Sequence, residues 1–123
     1  MKITLVDEQT IELAGSQESL TIDAPTPDRH YSPFDMLASG LATCTYAVLA
    51  SWGEQAKIDV SDLKIRVSWT HHAESHRVEK ISMSLLWPSL PQERRQAATR
   101  AASLCSIHKT LTTPPDIDIE VAS

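Results

Sequence analysis

Residues 32–56 read SPFDMLASGLATCTYAVLASWGEQA, and this stretch decides the fold. Ser32 is an N-cap residue, Pro33 falls at the first helical position where its missing N–H costs nothing, and Asp35 faces the positive end of the helix dipole. After Pro33 there is no proline, and Ala and Leu dominate. Apolar residues lie nearly all round the helix: Met36, Leu37, Leu41, Ala42, Ala47, Val48, Leu49, Ala50 and Trp52. A surface helix would keep a polar face. This one hardly does, which predicts a central helix buried on most sides. Gly40 in its interior is unfavourable by ~1 kcal/mol, and so predicts close packing against another backbone.

On either side of this helix the pattern changes to period two. Lys2–Leu5, Thr10–Leu13 and Ser19–Asp23 alternate, which predicts an antiparallel meander within residues 1–23. The Pro-rich stretch Ala24–Tyr31 can continue neither helix nor strand. Beyond the helix, Leu63, Ile65, Val67 and Trp69 alternate with polar residues, and a second alternating run extends from Val78 to Trp87. Together they predict a hairpin over residues 63–87, one face packed on the helix. Pro88 stops that strand. Ser89 and Gln92 then read as a capping box opening a second helical region, 89–111. Its helix spans 90–105, with Leu90, Ala97, Ala101, Leu104 and Cys105 inward and Arg94, Arg95 and Arg100 outward; Ile107 to Leu111 adds a turn. Ile117, Ile119 and Val121 alternate as a last strand over 116–121. The class is α+β, with antiparallel sheets packed around a central buried helix.

The 123 residues and 13.6 kDa suit one domain. A net charge of −5 argues against nucleic-acid and anionic-membrane partners. No apolar run approaches the ~20 residues of a membrane span, and MKITLVDEQT lacks the apolar region of a signal peptide. The expected setting is the cytoplasm.

Two cysteines, Cys44 and Cys105, stand 61 positions apart. They form neither a zinc-ribbon pair nor a CxxC. Two readings stay open: inert core thiols, or a pair that cycles during chemistry. Cys44 is about three turns from the start of its helix, too far for that terminus to acidify it, so a reactive thiol here needs another donor or cation. His71, His72 and His76 occupy a polar turn with no companions at metal-ligand spacing. His108 reads as a cap at the C-terminal end of the second helical region or as an aid to the thiol. Trp52, Trp69 and Trp87 read as core or interface aromatics, and Tyr46 as packing.

Ser32-Pro33-Phe34-Asp35-Met36-Leu37 through Thr43-Cys44 resembles the S-P-x-[ED]-L-L…C helix start of the OsmC/Ohr family, and Leu104-Cys105-Ser106-Ile107-His108-Lys109-Thr110-Leu111 resembles its second signature, C-x-[VI]-x-x-x-L. The resemblance implies an intertwined homodimer and a thiol peroxidase acting on organic hydroperoxides. It needs no bound cofactor, and a dithiol such as a lipoyl group reduces it. By that likeness Cys44 is the peroxidatic thiol and Cys105 the resolving one. The best-known branches carry a Glu ten residues before the first Cys, paired with an Arg. Here Phe34 holds that position and the acid is Asp35, nine before Cys44, as in a different branch. One helical residue turns a side chain by about 100°, so Asp35 does not simply inherit the Arg-orienting role. Arg29 is the first candidate for the cation, with Lys2 or Arg66 as alternatives. The same fold with quiet cysteines implies instead a dimer that binds an apolar small molecule.

Overall fold

The computed structural model describes residues 1–15 and 19–122. The elements run β1 (Lys2–Asp7), β2 (Thr10–Ala14), β3 (Thr21–Asp23), α1 (Pro33–Gln55), β4 (Lys64–His71), β5 (Val78–Leu86), a single 3₁₀ turn (Gln92–Arg94), α2 (Arg95–Ala102) and α3 (Ser106–Thr112). The five strands form one sheet in the order β3-β1-β2-β4-β5. Alternation sets which side chains point in: Ile3 and Leu5, Ile11 and Leu13, Ile65, Val67 and Trp69 form one buried face. α1 lies across β2 and β4 and supplies Ala38, Leu41, Ala42, Tyr46 and Leu49; α2 adds Ala98 and Ala101. Each large aliphatic side chain in this layer contributes about 1.5–3 kcal/mol of transfer free energy.

Several expectations change. The N-terminal strands are not a meander, because β3 pairs parallel with β1, on the edge β2 leaves free. The other edge of β2 is already taken by five antiparallel pairs with β4. Next, the helix expected over 90–105 is shorter: the 3₁₀ turn leads into α2, which ends at Ala102, and after a break over residues 103–105 the turn expected over 107–111 is α3. The capping box of Ser89 and Gln92 does not form either. Ser89 instead donates its N–H and Oγ to Asp62 Oδ2, at 2.9 and 2.7 Å, pinning the end of β5 to the loop before β4.

Another change concerns the C-terminal tail. Residues 114–122 have no regular secondary structure, and Ile117, Ile119 and Val121 are 81%, 91% and 97% exposed. Period two gives these residues a strand's pattern, but among the described residues no strand edge pairs with them.

The β4–β5 hairpin does form, with residues 63–87 placed as the alternation implies. Its register shifts near the turn: Thr70 pairs with Lys80 but His71 with Val78, leaving Glu79 as the extra residue. That bulge puts Val78 on the same face as Ile81 despite their odd spacing.

α1 begins as the sequence dictates. Ser32 Oγ accepts from the Asp35 N–H at 3.1 Å, and Asp35 Oδ2 accepts from the Ser32 N–H at 2.8 Å, a reciprocal capping box. It ends in a Schellman motif: the Ile58 N–H reaches Gly53 O at 2.8 Å, and the Lys57 N–H reaches Glu54 O at 3.2 Å. Lys57 takes the left-handed conformation, φ 59°, that this motif usually gives to glycine. Between its ends the helix is long and apolar enough to cross a membrane by composition. It is nevertheless a core helix on one side only. Met36 is 52% exposed, Leu37 and Ala47 are exposed, and a Cβ built on Gly40 would meet nothing within 4 Å. The backbone contact expected at Gly40 is absent among the described residues.

Candidate functional site

Cys44 and Cys105 are both free thiols, and the fold makes them neighbours: each lies within hydrogen-bonding influence of the other. Cys44 projects from the middle of α1 and is half-buried. Cys105 is fully buried, and as the N-cap residue of α3 it accepts from the His108 N–H at 3.5 Å.

The local fields pull the two thiols apart. Burial is the largest influence on Cys44 and pushes it up. The Cys105 side chain and the backbone amides of Ile107 and Ser106 together outweigh it, and Cys44 lies below the ordinary thiol range. Burial also dominates at Cys105, and there Cys44 adds to it. The amides of His108 and Ile107 and the hydroxyl of Thr45 oppose them, but Cys105 remains above the ordinary range. The two thiols are thus shifted in opposite directions, Cys44 toward the thiolate and Cys105 toward the thiol.

The donors that α1 cannot offer to Cys44 come from the first turn of α3. His108 is the third residue of that helix, so it lies near its N-terminus, and its backbone N–H supports Cys105. The expectation of a C-terminal cap there does not hold. The break at 103–105 is what creates this second N-terminus, and reading 90–105 as one helix missed it. The signal was present in Ser103 and Ser106, short polar residues that disfavour a helix interior.

Arg29 and Asp35 meet each other. The guanidinium donates from Nη1 and Nη2 to the two Asp35 oxygens, both at 3.0 Å, in a bidentate pair whose side chains are only 7% and 0% exposed. Arg29 also donates to the carbonyls of Asp7, at 2.8 Å, and His30. Its hydrogen bond with Asp35 raises its already high pKa. The alternatives are occupied as well: Lys2 pairs with Asp23 at 3.1 Å, and Arg66 with Glu12 at 2.7 Å on the outer face of the sheet. None of these cations is among the groups acting on Cys44. Nine helical residues separate Asp35 from Cys44 by about 13 Å along the axis and about half a turn around it. The structure brings together Cys44 with Cys105 and Arg29 with Asp35, as two separate pairs.

The remaining candidates take structural places. His72 Nδ1 lies 3.2–3.4 Å from the Glu74 and Ser75 amides and the Ser75 hydroxyl, closing the β4–β5 turn. His71 meets the Phe34 ring edge-on at 4.5 Å between centroids. Trp87 packs edge-on against Trp52, and its Nε1 donates to Asp59 O at 2.7 Å. Tyr46 is buried in the core, where burial raises its phenol pKa.

An open groove of about 930 Å³ runs between α1, β5, α2 and α3. Leu37 and Leu41 of α1 line it, with Ile81, Met83 and Leu85 of β5; His108 stands at the α3 side. Leu37, Leu41 and Cys44 are spaced four and three apart, on one face of α1.

An α+β chain whose buried helix carries one thiol against a second thiol at the head of a short helix defines a two-cysteine class of domain. The family model described as OsmC-like protein matches residues 26–120, and the chain belongs to that family. No curated protein matches it significantly. Among solved structures it resembles a candidate osmotic stress induced and detoxification response protein from Psychrobacter arcticus 273-4. The TM-score is 0.61 and the identity 21%, over 68% of this chain and 62% of that one. It also resembles an OsmC-like hydroperoxide resistance protein from Jannaschia sp. CCS1. Here the TM-score is 0.59 and the identity 20%, over 75% of this chain and 67% of that one. The chain therefore spans about two thirds of the length of these neighbours, and the likeness is one of fold.

Proposed function

We propose that this protein is a thiol peroxidase for organic hydroperoxides, with Cys44 as the attacking thiolate and Cys105 as the resolving thiol. The observation that carries the reading is the opposed pair of thiols: Cys44 lowered and partly accessible, Cys105 raised and sealed in the core. The Cys44 thiolate attacks the terminal peroxide oxygen, the O–O bond breaks, and an alcohol departs after protonation. Cys44 becomes a sulfenic acid; Cys105 condenses with it, releasing water, and an external dithiol reduces the disulfide. The groove is lined by Leu37 and Leu41, on the α1 face that also carries Cys44, and its apolar residues favour alkyl peroxides over hydrogen peroxide. Arg29 and Asp35 serve this chemistry as a clamp on the start of α1. The reaction uses no bound cofactor, and a cytoplasmic setting supplies the dithiol.

A homodimer belongs to the same reading. The exposed face of α1 around Met36 and Gly40, the groove, and the free edge of β5 all await cover, and the tail offers Ile117, Ile119 and Val121 at strand spacing. A second copy fits all of these features. Sedimentation should give twice 13.6 kDa, and removing residues 114–123 should weaken the association.

The groove also favours a second reading, in which the dimer holds an apolar small molecule and the cysteines stay reduced. One experiment separates the two: an alkyl hydroperoxide added in stoichiometric amount, followed by intact mass. The peroxidase reading expects loss of two hydrogens in the wild type and a trappable sulfenic acid at Cys44 in Cys105→Ser. Two free thiols after peroxide would overturn it in favour of the binding protein.

A further inference from the structure

Thr45 is almost wholly buried, and among the described residues its Oγ1 has no hydrogen-bond partner. A helical threonine ordinarily satisfies its hydroxyl on the carbonyl four residues back. Every other threonine in the three helices does so: Thr43 on Ser39 O at 2.7 Å, Thr99 on Arg95 O, Thr110 on Ser106 O and Thr112 on His108 O. Thr45 forgoes that bond. Its hydroxyl makes no hydrogen bond to the Cys105 sulfur but is among the groups that act on it, favouring the thiolate. A buried donor left unpaired is costly, so its presence calls for a state in which it is used.

We infer that Thr45 Oγ1 is the donor that receives Cys105 as a thiolate when the Cys44–Cys105 disulfide is reduced. The inference rests on the proposed disulfide and adds the direction in which that bond is opened. Cys105 is 0% exposed and Cys44 partly accessible, so an external thiolate reaches Cys44 Sγ. A new S–S bond forms between the reductant and Cys44 as the Cys44–Cys105 bond breaks, and the electron pair passes to Cys105 Sγ. That charge appears in the core, beyond the reach of solvent. Two protein donors await it there: the His108 N–H, already 3.5 Å from the sulfur, and the free hydroxyl of Thr45. The second thiol of the reductant then attacks the mixed disulfide, freeing Cys44. The dithiol ends as a cyclic disulfide, and its two protons pass to the cysteines.

The test uses the whole chain with its disulfide preformed by diamide, so that it does not depend on peroxide. Reduction by dithiothreitol is followed by stopped quench and intact mass. A hydrogen bond to a charged sulfur accounts for about a tenfold to hundredfold change in rate. Thr45→Val should slow reduction by that factor, Thr45→Ala should follow it, and Thr45→Ser should stay within a few-fold of wild type. Because Val removes an unpaired buried hydroxyl, its thermal midpoint should equal or exceed that of the wild type. A monothiol should leave its mixed disulfide on Cys44. Wild-type rates in Val or Ala, slowing in Ser as large as in Val, a mixed disulfide on Cys105, or failure of diamide to join the two cysteines would each overturn the inference. A parallel sample given alkyl hydroperoxide separates the two proposals. If peroxide leaves both thiols free, the peroxidase reading falls while the diamide arm still decides the role of Thr45.

Discussion

Removing the Asp35 carboxylate tests the account of how α1 is anchored. That side chain is fully buried and performs two tasks: it closes the capping box with Ser32 and holds Arg29 in a bidentate pair at 3.0 Å. Loss of an N-terminal capping interaction costs about 1 kcal/mol. Loss of one partner of a buried ion pair costs about 3–5 kcal/mol, because the remaining charge stays desolvated. Here Arg29 keeps the carbonyls of Asp7 and His30 as acceptors, which places the sum at the low end of that range. Asp35→Ala should therefore cost about 3 kcal/mol, or roughly 10 °C in Tm for a domain of this size. Urea unfolding by circular dichroism measures it. Arg29→Met should cost nearly as much, and in the double variant the two losses should be far from additive. Alkylation of Cys44 in the folded fraction should not change, since the pair lies on the far side of the helix. A loss below 1 kcal/mol for Asp35→Ala, or additivity in the cycle, would refute the clamp. A large fall in Cys44 reactivity at unchanged stability would restore Arg29 and Asp35 to the thiol site.

Four further outcomes follow from particular residues. A Cβ on Gly53 would stand 2.6 Å from Val60 Cγ1 and 3.3 Å from the Trp87 ring, so Gly53→Ala should destabilise by about 1–3 kcal/mol in the same unfolding assay. Lys57 holds a left-handed φ of 59° in the Schellman motif, and Lys57→Gly should stabilise by up to about 1 kcal/mol. Iodoacetamide reacts with thiolate, so the alkylation rate of each cysteine rises with pH through its own pKa. Cys44 should show its midpoint below the ordinary thiol value and Cys105 above it. Cys105→Ala removes one of the groups that hold Cys44 down, and the Cys44 midpoint should move up.

The parts of the fold legible in the sequence were those that local chemistry decides. Ser32, Pro33 and Asp35 set the start of α1 to the residue, and the alternation in β4 named its buried side without error. Where neighbours compete for the same edge, the pattern is silent. Nothing in Thr21–Asp23 says that β2 is already paired with β4, so the parallel place beside β1 could not be read there. The apolar surround of α1 was legible but misassigned. The sequence counts apolar residues without saying which chain covers them, and half of this helix faces outward. The tail repeats that ambiguity, since period two records a capacity to pair and leaves the partner open.

The cysteine site divides along the same line. That Cys44 needs a donor from outside its own helix was deducible from its depth in α1. That the donor is a helix N-terminus depended on a break of three residues, inside a segment whose alanines favour continuation. A helical stop is a small difference between propensities of a few tenths of a kcal/mol per residue, and burial of Cys105 against α1 is worth more than that difference. Packing thus decides where α3 begins, and where α3 begins decides which amides reach Cys44. The reactivity of the first thiol is in this sense a consequence of where the second one is buried. The family resemblance singled out the pair, while the electrostatics that distinguish them arose only with the tertiary contact.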